Sequence, residues 1–339
     1  MSPLSHTPQL ALARRADLDE LAALRHAEGW IANRWLLHLL GDWPRAAVFT
    51  LREHATGPIL GTISATAYGG PSVIGNVIVR TEARGRGYGK LLMAAALDWI
   101  KERGARTVTL DATTAGQPLY RRFGFLPMHH TWEVWHPLAA LDLGAALESA
   151  SADPSWQLAP LTPETVGAVA ALDRAAFGGD RLDLLTAMLA LPEVEGIAAR
   201  DADTGAVAGY LFTRPLEPPR AGVYAGPLVA RAPEAARALL LAALRRAQAA
   251  APDPDGTDGA AAHLALGIPG DSDSPAVRLA RALGLALHRD DLRMRLDLTT
   301  GTVPDVPDVP DVPDVPGAAE APDDGQPAWL YGMLSAMVG

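Results

Sequence analysis

Residues 77–90, Val-Ile-Val-Arg-Thr-Glu-Ala-Arg-Gly-Arg-Gly-Tyr-Gly-Lys, are where the chain offers chemistry. Gly85, Gly87 and Gly89 alternate with Arg86 and Tyr88 immediately before a run of helical spacing. Glycines in such a turn let backbone N–H groups converge on one concavity, and the following helix adds its positive end. That is a cradle for phosphate. It is not a P-loop, which would need glycine at position 84, where arginine stands, and Ser or Thr at position 91, where leucine stands. A dinucleotide fingerprint beginning at Gly85 would need glycine at position 90, which is Lys90. The pattern that remains is Arg84-x-x-Gly87-x-Gly89 opening a helix after a strand.

The elements around it alternate. Helices are predicted over 18–25, 30–40, 90–103 and 118–123, from apolar residues at helical spacing and from stops at Gly104 and Gly124. Strands are predicted over 47–52, 59–68, 73–80, 107–111 and 132–135. The second half repeats the order: helices over 163–176, 182–191, 233–250 and 279–283, and strands over 196–201, 206–213, 221–229, 261–266 and 291–298. Tyr120-Arg-Arg-Phe-Gly-Phe is echoed by Ala280-Arg-Ala-Leu-Gly-Leu, with Gly284 lying 160 residues after Gly124. Two related α/β domains in tandem are therefore expected, over 1–150 and 151–300.

Composition narrows the partners. Of 339 residues, 49% are apolar and 20% charged, enough for a substantial core, and none is cysteine, which removes disulfides, thiolate metal sites and a cysteine nucleophile. The net charge of −10 is uneven. Residues 1–150 hold 15 Lys and Arg against 13 Asp and Glu, giving +2, and the remainder holds 14 against 26, giving −12. So acidic a chain is a poor nucleic-acid binder. Its apolar runs are broken by charge before membrane-spanning length, and its first residues lack the order of a signal peptide, so a cytoplasmic protein without a membrane partner is expected. His129 and His130 are the only close histidine pair, and no metal is expected.

With Tyr120-Arg-Arg-Phe-Gly-Phe125 following about 30 residues after the glycine turn, the first half resembles the GNAT superfamily of N-acetyltransferases. The likeness is close over roughly residues 8–137, and the second half looks like the same fold, drifted. The resemblance implies two tandem GNAT-like domains, each a mixed, mostly antiparallel sheet with flanking helices. It implies acetyl-CoA as cosubstrate, its pyrophosphate on Arg84, Gly85, Arg86, Gly87, Tyr88, Gly89 and Lys90. The pantetheine arm would lie along Val77, Ile78 and Val79, where a backbone N–H would polarise the thioester carbonyl. Tyr120 would protonate the departing sulfur. Asp111, at the end of its strand, is the carboxylate chosen to take the amine's proton through water, with Glu28 and Glu133 as alternatives. The acceptor, a small-molecule or peptide amine, would meet Glu28, Trp30, Trp35 and Tyr68, since aromatic rings with a carboxylate suit a cation. A second function class stays open: an acyl-CoA sensor or scaffold that binds without turnover.

The second half departs from the pattern. Its turn reads Ala230-Arg-Ala-Pro-Glu-Ala-Ala-Arg, without the glycines, and Ala280 replaces the tyrosine. It is expected to be degenerate. Residues 301–327 contain a Val-Pro-Asp repeat that forbids helix and favours an extended linker. Residues 328–339 form an apolar tail, with Trp329, Leu330, Met333, Leu334 and Met337 spaced for one helical face. That tail is expected to dock on its own chain or on a second copy, as in a homodimer.

Overall fold

The structure is a computed structural model, and it describes residues 8–30, 43–142, 144, 155–216, 221–250, 261–299 and 330–332. The first half contributes β1 (Gln9–Leu12), α1 (Leu18–Ala27), β2 (Ala46–Arg52), β3 (Ile59–Ala67), β4 (Pro71–Val79), α2 (Tyr88–Glu102), β5 (Thr107–Ala112), α3 (Gln117–Arg122) and β6 (Leu126–Pro137). The second contributes β7 (Trp156–Leu161), α4 (Ala170–Phe177), α5 (Leu182–Leu189), β8 (Glu195–Asp201), β9 (Val207–Pro215), β10 (Ala221–Ala230), α6 (Pro233–Ala250), β11 (Ala262–Pro269), α7 (Pro275–Ala282) and β12 (Leu287–Asp297). A short β13 (Leu330–Gly332) ends the described chain.

All strands join one sheet in the order β1-β2-β3-β4-β5-β12-β6-β11-β10-β9-β8-β7, with β13 paired to β10. Among the described strands only β4 with β5 and β10 with β11 run parallel; the other neighbours are antiparallel. The order is a near palindrome about the β12–β6 pair. It shows that the halves trade their last strands: β12 pairs with β5 and β6 pairs with β11. The chain-order boundary near residue 150 thus does not coincide with the partition of the sheet.

Helix α2 buries Leu92, Met93, Ala96, Leu97 and Ile100, one stripe of a 3.6-residue period, against Ile63, Ile74, Val108, Leu110, Phe125 and Met294. Its C-terminus is closed by Gly104 at φ 69°, whose N–H reaches the Lys101 carbonyl. Helix α6 does the same in the second half with Ala236, Leu239, Leu240, Ala243 and Leu244. The opposite faces of the two half-sheets meet in a shared core, where Leu21, Tyr68, Val73 and Ile78 pack with Leu172, Phe177, Leu184, Tyr210 and Phe212. Within it lies an ion pair: Arg181, fully buried, holds Asp173 at 2.9–3.0 Å, and the Tyr210 hydroxyl donates to the same carboxylate.

Two expectations are revised. The helix expected over 163–176 divides into a 3-10 turn, Val166–Val169, and α4. The tail was expected to be helical, but Leu330–Gly332 is a strand, because an open strand edge offers it hydrogen bonds that a short isolated helix would lack. The helix expected over 30–40, the linker 301–327 and the rest of the tail lie outside the described residues.

Candidate active site

Strands β4 and β5 are paired only from Pro71–Val73 to Thr107–Thr109. Beyond that point they part, and a wedge opens between them. The cause is visible in β4. Its register against β3 slips between Gly75, opposite Ser64, and Ile78, opposite Thr62, so Asn76 and Val77 together face one residue. This is a β-bulge, which bends and twists the strand that carries it. Asn76 sits at φ 52°, a region asparagine tolerates better than most residues. Its Nδ2 donates to Ser64 Oγ at 3.0 Å, while its buried Oδ1 has no hydrogen-bond partner among the described residues. After the bulge, Val77 and Val79 turn toward the α2 core and Ile78 toward the shared core. What these three residues offer the wedge is main chain.

The glycine turn closes the wedge's outer end. Gly85 and Gly87 both lie at φ 79°, and a Cβ at either would meet nothing within 4 Å. Glycine is required there by backbone conformation, and the space above it is open. Helix α2 starts at Tyr88 with no side chain capping its first N–H groups. An uncapped helix N-terminus beside two left-handed glycines is an anion cradle, so these residues fit a pyrophosphate. Tyr88 is buried in the α2 core, with its hydroxyl hydrogen-bonded to Arg86. A Cβ on Gly89 would come within 3.1 Å of Leu119, so this glycine allows α2 and α3 to approach. Arg84 is tied back: Nε donates to the Val79 carbonyl at 2.9 Å and Nη2 to Glu28 Oε1 at 2.7 Å. Arg86 pairs with Glu53, and Lys90 is half-buried on the first turn of α2.

Tyr120 stands on α3, 6% exposed within the α2 core and edge-on to Phe125. Its ring crosses so close to Gly116 that a Cβ there would lie 2.8 Å from it. Burial pushes its hydroxyl pKa up, and the charge of Asp291 pushes the same way. Asp291 belongs to β12, so a residue from the second half acts electrostatically on the first half's wedge.

Asp111 requires correction as a base. Val108, Leu110 and Ala112 point to the α2 core, so Asp111 points to the other face of β5. There its carboxylate is 2% exposed and accepts from Arg293 at 3.0 and 2.8 Å and from Thr131 Oγ1 at 2.7 Å. Burial alone would raise its pKa, but the Arg293 guanidinium and the Thr131 hydroxyl outweigh it and hold the group below the usual carboxylate range. A fully engaged, strongly acidic carboxylate is a structural tie between β5 and β12. Tyr68 is corrected too: at 2% exposure it lies in the shared core between Trp43 and Phe177, not on an acceptor surface. Glu28 is the ion-pair partner of Arg84, and Trp30 is half-buried with Arg25 against its ring. Trp35 lies outside the described residues.

A cavity of about 380 Å³ opens on the face of the sheet opposite α2. Val73, Thr107 and Thr109 form its floor, with Phe177 on one side and Arg295 and Asp297 on the other. More than half of this lining comes from the second half of the chain. Local sequence carries no signal for that, because β12 reaches the site only through the strand exchange.

The second half builds the same wedge. Strand β10 pairs with β11 over Ala221–Tyr224 alone, and its register against β9 slips between Ala225 and Leu228. Gly226 and Pro227 therefore occupy the bulge that Asn76 and Val77 form in β4. Pro227 has no N–H to offer there. Glu234 lies in the first turn of α6, where an anion would approach.

Comparison with known proteins gives two family matches: the Acetyltransferase (GNAT) family over residues 16–125 and an Acetyltransferase (GNAT) domain over residues 169–251. The mycothiol acetyltransferase of Arthrobacter sp. (strain FB24) is 34% identical over 130 residues, 36% of this chain and 35% of that protein. The uncharacterized N-acetyltransferase YitH of Bacillus subtilis (strain 168) is 28% identical over 188 residues, 56% of this chain and 61% of that one. The chain thus spans less than two thirds of either relative. Among solved structures, a tandem GNAT protein from the clavulanic acid biosynthesis pathway superposes with a TM-score of 0.59 at 17% identity, covering 86% of this chain and 98% of that one. A Pyrococcus horikoshii protein classed as a candidate acetyltransferase superposes at 0.67 with 18% identity, covering 100% and 98%. At these identities the structures show a shared fold. No described helix is long and apolar enough to cross a membrane, and no described cluster of His, Asp and Glu could hold a metal ion.

Proposed function

The chain belongs to the GNAT acetyltransferase family, as two tandem domains, and on that premise we propose that its first half transfers acetyl from acetyl-CoA to a primary amine within a ternary complex. The observation that carries the reading is convergence. The strand edge of Val77–Val79 and the uncapped helix end behind Gly85 and Gly87 lie on consecutive elements, and Tyr120 packs in the same core as Val77, Val79 and Tyr88, which supports this reading. Bound acetyl-CoA supplies an activated acyl group and a thiol leaving group.

The chain supplies the rest. The turn and the α2 N-terminus hold phosphate charge through backbone N–H groups, and Arg84 locks the turn to the end of β4. Main-chain N–H groups at the bulge are fixed dipoles that polarise the carbonyl without reorganising. Tyr120 stays protonated at neutral pH because burial disfavours its anion, so it can donate to the departing sulfur. The amine would approach the open end of the wedge, beyond the paired segment Pro71–Val73 and Thr107–Thr109. With Asp111 engaged by Arg293, the role of base passes to Glu133, exposed on the same face of β6 as Thr131 and able to take a proton through water. The acceptor is a small-molecule or peptide amine.

The test is thiol release from acetyl-CoA across a panel of primary amines, including peptides with free N-termini. Amine-dependent release that tracks acetylated product supports the reading. Tight acetyl-CoA binding without release for any acceptor would sink it in favour of a sensor.

A further inference from the structure

The second wedge is closed by the chain itself. Strand β13 pairs antiparallel with β10, Leu228 opposite Gly332 and Val229 opposite Leu330. It also lies beside β11 and α7. These are the walls of the second wedge, as β5 and α3 are of the first. Through the matching bulges, Leu228 and Val229 correspond to Ile78 and Val79. The strand edge that the first half leaves open after its bulge is thus taken, in the second half, by Leu330–Gly332.

We propose that the second wedge is a peptide-strand site, and that its resident ligand is the chain's own C-terminal segment, added to β10 as an extra strand. The chemistry of the wedge favours a peptide over a phosphorylated cofactor. The glycine turn is gone, and Glu234 stands at the start of α6, so nothing is built to hold phosphate. Pro227 removes the N–H that would face a carbonyl at the bulge. What survives is the edge at Leu228 and Val229, whose main-chain groups must be satisfied. An unpaired strand edge is a template for another strand, and strand addition is a general mode of peptide capture. The segment's sequence, Trp329-Leu-Tyr-Gly-Met-Leu, is apolar, and it contains Tyr331, a good strand former. The 32 residues from 298 to 329 that separate it from β12 could reach roughly 105 Å if extended, enough to bring the segment to β10 in cis. The inference rests on the equivalence of the two bulges and is independent of acetyl transfer.

The experiment compares the full chain, a chain ending at Pro327, and a full-length Tyr331→Pro variant whose tail has lost the Tyr331 backbone N–H. A labelled peptide of residues 328–339 is added to each. The truncated chain and Tyr331→Pro should bind it at least about 10-fold more tightly than the full chain, whose site is filled. In the full chain the amide of Leu228, which faces the tail while that of Val229 faces β9, should exchange at least about 10-fold more slowly than in the other two. Peptide bound by none of the three, or equally by all, would overturn the proposal, as would unchanged exchange at Leu228. A full chain that is dimeric and becomes monomeric on truncation would overturn supply in cis, assigning the strand to a second copy.

Discussion

The two wedges share a scaffold and differ in what lines it. Both arise from a parallel strand pair that parts after three or four residues, and both part beside a two-residue bulge in the same register. Both are followed by a short helix stopped by a glycine at positive φ, Gly124 at 85° and Gly284 at 73°. Yet Val77 becomes Pro227, the turn with Gly85 and Gly87 becomes Arg231-Ala232-Pro233, and Tyr120 becomes Ala280. The features kept are those that packing requires: the bulge shapes the sheet, and the glycine stops let a helix end against a strand. The features lost are those for which packing has little use. Gly85 and Gly87 face open space beside an uncapped helix end, where no packing contact asks for them.

Exchanging residues between the wedges tests this. The largest effect should follow Tyr120→Phe, which is expected to lower kcat by about 10²–10⁴ while leaving acetyl-CoA affinity within about 2-fold. An unchanged kcat under conditions where chemistry limits the rate would reduce Tyr120 to packing. Gly87→Glu, which brings a carboxylate to the first turn as Glu234 does in the second half, should weaken CoA at least about 100-fold, through left-handed strain and repulsion of phosphate. Calorimetry with wild type should give one CoA per chain, and two equivalent sites would break the contrast.

Asp111→Asn should behave differently from both, because it cuts the tie to Arg293. It is expected to cost about 3–5 kcal/mol of stability by leaving a buried charge unpaired, with kcat per folded molecule changed less than about 3-fold. Its pH signature has a definite sign. The folded pKa of Asp111 is depressed, so its contribution is complete above the unfolded value of about 3.9 and is lost as pH falls through the lower folded value. Denaturant titrations should therefore keep wild type ahead of the variant from pH 7 down to about pH 4, the gap closing only as pH falls below the depressed folded value. A catalytic base would instead show lost kcat with stability intact. The smallest effect belongs to Glu28→Gln. Its pairing with Arg84 is largely exposed, so CoA affinity should change by less than about 5-fold.

Much of the fold could be read from local pattern, and the limits fall where local pattern ends. The strands with β-branched residues and the helix over α2 announce themselves by period, and the glycine turn by spacing. Strands β1 and β7 went unseen because Gln-Leu-Ala-Leu and Trp-Gln-Leu-Ala-Pro-Leu are short and their burial does not alternate cleanly at the sheet's two ends. Asp111 looked like a free carboxylate since its partner lies 182 residues away on a traded strand. Tyr68 looked like a ligand contact since nothing near it in sequence reveals Phe177 against its ring. One available signal was passed over: Asn76 in the run Val73-Ile-Gly-Asn-Val is a poor strand residue that tolerates positive φ, and it marks the bulge.

The traded strands also set a timetable for making the protein. During synthesis, β5 and β6 are complete by residue 137, but β12, which must lie between them, ends at residue 297. At ribosomal rates of about 5–20 residues per second, the 160 residues between take roughly 8–32 s. For that interval the nascent first half carries two unsatisfied strand edges, the kind of surface that chaperones shield and aggregates recruit. Its wedge becomes a finished site only when the second half delivers β12, and with it Arg293 and Asp291. The half without the glycine turn thereby decides when the sheet of the other half is complete.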